Sequence, residues 1–473
     1  MHARTSRIGR SSLRIAQSVV QIPPPESSSD QPGKQTLSAL IYEPLIGLRD
    51  CHPVPALAQS WEVEDDGRKW RFPLRSGATF HDGRPCTAED VVLACRRLLD
   101  AEGPFDMEGP YVPYFEEMEV EAADRHTVTI SGDDPMGYIL EICAGVVVGE
   151  GPRNGQLPVG TGPYCVADYV PGEYLSLAAV NEKEGLPYQD IFFTQITDPK
   201  DRLNALKSGQ VDVVTGLESL PQPLDLRDLV ARRAVNTLSV TAFFNGFTEP
   251  FSQPEARLAF NLAIDVDSII REVWGGLAIP ATTIVSPNHR GYPSNLSPSR
   301  YDPEGARRLL EGLDLPGALN MRTPHITPDR ALQVTQMIVD QLDRIGVRIN
   351  IDQQRDRQAY AQEVGSKKIG HLAIFDSSPL STYRVLREKV SSRAKGLWWQ
   401  GVVDDTADQL IEEASGAYDV HEQGPGYGEI LSWLNANPHW LYLYHPVKLW
   451  AHDPKIEGVT MDAGGMLRMP GLS

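Results

Sequence analysis

The segment LDRIGVRINI (342–351) sets the tightest limit on the fold. An apolar-periodic run ends at Gly346, and Val347, Ile349 and Ile351 then alternate as a strand does. A glycine just past a helix can take the left-handed conformation that closes the last turn. A strand starting at once after it is the joint of an α/β unit, with parallel pairing between neighbouring strands. RLNALKSGQ followed by VDVV (202–214) repeats the order of helix, glycine and buried strand. At 473 residues the chain exceeds one compact core, so two or more domains are expected.

Other elements fall around these units. A short strand is expected at 13–20, then the breaker IPPPESSSDQPG, then a helix at 36–45. WEVEDDGRKWRFPLR alternates around an Asp-Asp-Gly turn and predicts a β-hairpin. In FHDGRPCTAEDVVLACRRLL (80–99), His-Asp-Gly is turn chemistry and Thr87 with Asp90 has capping-box spacing. Val91, Val92, Ala94, Cys95, Leu98 and Leu99 then share one apolar face. Strands at 126–130 and 174–180 and helices at 256–264, 303–313, 331–346 and 381–390 complete the pattern, with no repeat of fixed period.

Charge removes whole function classes. A net charge of −19 offers no basic excess to displace counterions from nucleic acid, nor attraction to an anionic membrane. Cys51, Cys86, Cys95, Cys143 and Cys165 are odd in number, widely spaced and without a CxxC, so free thiols are expected rather than a disulfide framework or zinc site. No apolar run reaches the roughly 18 residues of a membrane span. MHARTSRIGRSSLRIAQSVVQIPPP has basic residues but neither an apolar core nor a small-residue cleavage site, so no signal peptide is visible. The glycines of HDG, GTGPY and GPGYG match no phosphate-loop fingerprint, and Pro163 and Pro425 remove backbone donors. The eleven histidines show no HExxH spacing, and no metal or cofactor is expected. His81-Asp82 lacks a nucleophile motif and reads as turn rather than catalytic pair.

LAQSW (57–61), the Asp66-Gly67 hairpin, the run from Leu74 to Val91 and GTGPY (160–164) stand in an order that resembles the peptide/nickel/opine class of extracytoplasmic solute-binding proteins of ABC importers, dipeptide- and oligopeptide-binding proteins among them. RLNALKSGQVDVV, FFNGFTEPFSQPEARLAFNLAID, YDPEGARRLL and residues 333–346 continue the likeness over nearly the whole chain. The resemblance implies a two-lobed α/β fold like that of periplasmic binding proteins, with an extra subdomain on lobe one and the ligand cleft between the lobes. Lobe one would span 13–240, with the subdomain at about 48–165. Lobe two would span 241–440, and 441–473 would return to lobe one. The crossings would lie near 241–245 and 441–445, and closure would be a hinge motion.

Where peptide-binding relatives read W-x-x-D-Y-P-D-P, this chain has Phe375-Asp376-Ser377-Ser378-Pro379. The likeness makes Asp376 the candidate partner of a cationic ligand group, since a carboxylate in a closed cleft forms a strong charge-assisted bond. A helix-cap or turn role ahead of 381–390 is the structural alternative. Ser377 and Ser378 could add neutral hydrogen bonds, as could Ser381, while Tyr383, Trp398 and Trp399 could wall the ligand. Arg393, Arg384 or Arg387 could meet a ligand carboxylate. Asn245 would contact the ligand backbone at the crossing. The lost aromatic-proline-acid tail argues against ordinary peptide binding. The function implied is capture of a small organic solute, peptide-like, amino-acid-derived or opine-like, and its delivery by a non-enzymatic monomer to a membrane permease, with no nucleic-acid partner. The resemblance implies a periplasmic site. The missing signal leaves a cytoplasmic alternative, the same fold repurposed as an enzyme or intracellular ligand sensor.

Overall fold

The computed structural model describes residues 12–27, 31–101, 103–153, 155–180, 186–325 and 328–470. The stretch 1–11, read above for a leader, and residues 471–473 of the expected C-terminal return lie outside the described residues.

The helix-glycine-strand units build two half-sheets. In the first, Ser12–Gln17 runs parallel to Asp190–Gln195 and Val213–Val214, with Tyr164–Val170 and Tyr174–Ala179 added antiparallel at the edge. In the second, Leu319–Pro324 runs parallel to Ile349–Gln354 and Leu372–Ser377. Helix Ala331–Asp343 feeds that strand through Gly346, which takes φ +87° as expected of its place.

One strand belongs to both halves. Trp440–His452 pairs with Ser239–Phe244 over its first residues and with Val230–Val235 over its last. Pairing to the second half-sheet runs to Tyr444 on Ser239–Phe244 and to Pro446 on Ala278–Pro280, and Val447 is the first residue paired to Val230–Val235. The earlier crossing falls at 236–238, where Asn236 Oδ1 accepts from the Leu238 amide at 2.9 Å and turns the backbone. The expected crossing at 241–245 therefore lies inside the second half-sheet, because the turn chemistry sits at Asn236.

Within 48–165 a four-stranded antiparallel sheet forms in the order Glu62–Glu64, Lys69–Pro73, Thr127–Ser131, Glu119–Asp124. Helix Ala88–Asp100 buries Val91, Val92, Ala94, Cys95 and Leu98. Leu99, placed on that face by spacing, is 38% exposed at the helix end. The Asp90 carboxylate accepts from Thr87 N at 2.8 Å and Thr87 Oγ1 at 2.9 Å, starting the helix. His81 and Asp82 do not face each other. The Gly160 amide donates to His81 Nδ1 at 3.3 Å, so Nε2–H donates to the Gly162 carbonyl at 3.1 Å. Asp82 instead pairs with Arg84 at 3.1 Å.

The first helix is Pro32–Ile41 rather than 36–45. Pro32 opens it, because a first-turn residue needs no amide partner and proline's fixed φ is already helical. All five cysteines are free, four buried and Cys165 half-buried. No helix among the described residues is long and apolar enough to cross a membrane. The subdomain core of Trp70, Phe72 and Ile130 continues without a break into Phe243, Phe375 and Trp440 of the second half-sheet. The two lobes are in contact.

Candidate ligand-binding site

Leu372–Ser377 ends at the carboxyl edge of the parallel trio, the edge at which open α/β sheets bind ligands. Asp376 stands there. It caps no helix: Ser381 fills that role, its Oγ accepting from the Arg384 amide at 3.0 Å. The Asp376 Oδ1 atom instead accepts from Arg357 Nη2 at 3.3 Å. Arg357 opens helix Arg357–Gly365, which begins just past the carboxyl end of Ile349–Gln354, the next strand but one in the sheet. Its guanidinium lies between the rings of Phe105 (5.0 Å) and Phe375 (5.1 Å), and its Nη1 is buried without a hydrogen-bond partner. Phe105 comes from the subdomain, so this stack spans the two lobes.

Lys389 reaches the same place from the other side. Its ammonium donates to the Asp376 carbonyl at 3.3 Å and lies over the rings of Trp398 and Phe243 at 5.9 and 6.0 Å. Lys389 belongs to a π-turn, Leu386–Val390, that continues helix Thr382–Val385. Such insertions recur at functional sites because they re-aim side chains. The result is a guanidinium and an ammonium held among Phe105, Phe243, Phe375 and Trp398, with the Asp376 carboxylate paired to the guanidinium.

The candidate residues divide into three groups. Ser377 is buried beside Asp376 with its hydroxyl unpartnered, Ser378 is half-buried, and Trp398 stacks on Phe375 at 5.0 Å. Tyr383 is buried, which pushes its phenol far above the usual tyrosine range, and it stacks on Tyr138 of the subdomain at 4.1 Å. Asn245 and Trp399 lie elsewhere. The Asn245 Nδ2 atom donates to the Gly370 carbonyl at 2.7 Å and its Oδ1 accepts from the Phe247 amide at 3.1 Å. That is the far end of the strand pair, since Phe244 opposes Leu372 while Val240 opposes Asp376. Trp399 donates to the Val402 carbonyl at 2.8 Å and meets Phe247 edge-on there. Arg393 is half-exposed and paired with Glu412 on the surface. Of the other arginines, Arg384 binds Glu388 at 2.8 Å and Arg387 lies over Tyr114 at 4.7 Å.

Sequence reasoning missed Arg357, Lys389 and Phe105. The sequence offered for Arg357 only its place in the first turn of a helix after a strand, which does not single it out. Phe105 carries a different mark: with Asp106 it holds φ at +65° and +54°, a left-handed pair that non-glycine residues adopt under constraint.

Two α/β lobes sharing one strand, with a polar site at the carboxyl edge between them, define a two-lobed solute-binding protein. The family model of bacterial extracellular solute-binding proteins, family 5 (middle), matches residues 52–386, and the chain belongs to that family. It is 26% identical over 458 residues to a probable di/tripeptide-binding protein 5 of Pseudomonas aeruginosa, covering 87% of this chain and 85% of that one. It is 29% identical over 363 residues to the glutathione-binding protein GsiB of Salmonella typhimurium, covering 71% and 68%. The fold superposes on the crystal structure of NikA from Brucella suis in complex with Fe(III)-EDTA with a TM-score of 0.79, at 20% identity and covering 97% and 99%. The chain is a solute-binding protein of the ABC-importer class, and these relatives give no support to the alternative of a repurposed cytoplasmic enzyme or sensor.

Proposed function

We propose that the chain captures a small organic solute, peptide-like or amino-acid-derived, at the carboxyl edge around Asp376 and hands it to a membrane permease. The observation that carries this is the Asp376–Arg357 pair, set at the lobe boundary and covered by Phe105 from the opposite lobe. Arg357 takes Oδ1 alone, and Oδ2 makes no hydrogen bond among the described residues. The same carboxylate can therefore hold a ligand ammonium while Arg357 holds it in place. Ser377, Ser378, Tyr383 and Trp398 line the approach. The di/tripeptide- and glutathione-binding relatives favour a ligand carrying both charge signs, which a carboxylate beside a guanidinium suits. The protein acts as a monomer outside the cytoplasmic membrane, as the extracellular family implies, without enzymatic activity and without a nucleic-acid partner.

Native mass spectrometry of protein purified from its own host, followed by calorimetry with the co-purified solute, tests this. Asp376→Asn should weaken binding of an amine-bearing solute by about 1.5–3 kcal/mol, as for a charged hydrogen bond. Unchanged affinity removes Asp376 from the site.

A further inference from the structure

Glu141 is a carboxylate inside the apolar run YILEICAGVVV, on the short subdomain helix Ile139–Cys143, and its side chain is 1% exposed. Every donor it meets belongs to lobe two. Oε1 accepts from Arg290 Nη1 at 3.3 Å and from the Tyr427 hydroxyl at 3.1 Å. Oε2 accepts from the Ser381 hydroxyl at 2.5 Å and from the Tyr383 amide at 3.4 Å. Four donors fill the acceptor capacity of one carboxylate. These donors come from three separate lobe-two segments, and Thr382 Oγ1 ties two of them together by donating to the Arg290 carbonyl at 2.8 Å.

A carboxylate buried this deeply is costly unless its partners are present. They are present only with the lobes together. The contact falls on the turn that follows Asp376 and Ser377, four to six residues along the chain. Aromatic contacts from the same subdomain clamp the rest of the turn. Tyr138 stacks on Tyr383, Arg384 lies over Tyr111 at 4.6 Å, and the Tyr114 hydroxyl donates to Glu388 at 3.3 Å. Lys389, at the end of the clamped helix, is thereby fixed against the Asp376 carbonyl.

We propose that Glu141 is a positioning residue for solute capture. It fastens the 381–383 turn from across the lobe boundary, so the polar groups around Asp376 take their binding geometry only on closure. The link from fastening to capture rests on the ligand-capture reading above; the fastening itself does not.

Small-angle X-ray scattering and amide hydrogen exchange on the full chain test it without a ligand. Wild type should scatter with the lobes in contact, as in the structure described here. Glu141→Gln, which keeps the volume but loses the charge facing Arg290, should raise the radius of gyration. It should also speed exchange of the Tyr383 amide about tenfold, while amides of strand Leu372–Ser377 keep their protection. Uniform acceleration across the core would show a purely structural role and overturn the proposal, as would identical scattering of the two proteins or a wild type already open. If Glu141→Gln does not fold, Ser381→Ala and Tyr427→Phe, each removing one hydroxyl donor, decide in the same direction by smaller shifts. A native-mass-spectrometry result with no bound solute would sink the capture reading and leave these measurements standing.

Discussion

Gly160 shows how single residues hold this scaffold. A Cβ there would stand 2.0 Å from the Ile41 carbonyl oxygen, so the element GTGPY packs backbone against backbone. His81 locks the same strand through Gly160 and Gly162. Gly160→Ala should cost about 1–3 kcal/mol, as for overpacking a filled site, read as a lower midpoint in thermal unfolding. An unchanged midpoint would mean the Ile41 segment can shift aside. Local chemistry of this kind was legible in the sequence: the His-Asp-Gly turn follows from neighbouring residues. The Asp376 partner was not legible. Arg357 lies 19 positions away and reaches Asp376 across the carboxyl end of the strand between them, a fact of sheet order rather than of any motif. Glu141 did leave a trace, a lone carboxylate in an apolar run, but its donors are scattered from 290 to 427.

At the scale of elements, helix Ala88–Asp100 depends on its start. Asp90 satisfies both the amide and the hydroxyl of Thr87, and Asp90→Ala should cost about 0.5–2 kcal/mol. Urea unfolding should show this as a lower midpoint with unchanged slope; no shift would assign the helix start to burial alone. Periodicity located this helix and those near 199–207, 254–263 and 331–343, because each buries one stripe. It placed the first helix late by treating Pro32 as a breaker. It also gave 381–390 as one helix, where the structure has one α-turn region and then a π-turn. A π-insertion is fixed by contacts such as Arg384 with Glu388 and Tyr111, so spacing alone does not announce it.

For the molecule as a whole, three buried histidines set the response to acid. His289 accepts from the Ser286 amide through Nδ1 and donates to the Pro379 carbonyl through Nε2, and burial holds its pKa down to about 4. His445 bonds Ser239 at 3.0 Å and is held down to about 3 by burial, with His289 nearby adding to the effect. Burial also lowers His439. In the unfolded chain each titrates near its ordinary value of about 6.5. Below that value the unfolded chain takes up protons that the folded chain refuses, so stability falls as pH drops from about 6.5 toward 4. Asp404 acts in a lower range. Burial pushes its pKa up, but bonds from His439 and Trp433 outweigh this and hold it well below the carboxylate range, so its contribution is full above about pH 4 and is lost progressively below that. Melting temperature should decline steadily from pH 7 to 4.5, and His289→Gln should flatten part of that slope. A flat profile over this range would remove the histidines from the account.

The strand Trp440–His452 carries a consequence for how the chain is made. It is the partner of Ser239–Phe244 on one side and Val230–Val235 on the other, yet it begins more than nine-tenths of the way along the sequence. Neither half-sheet can complete its hydrogen bonding while synthesis is still under way. The four-stranded sheet of the subdomain, which lies between residues 62 and 131, can settle early. The lobes stay unfinished until strand Trp440–His452 has emerged, and long-range pairings of this kind form slowly. The newborn chain therefore keeps a period of openness in which it can still be threaded or handed on, and it becomes rigid only once this shared strand has arrived.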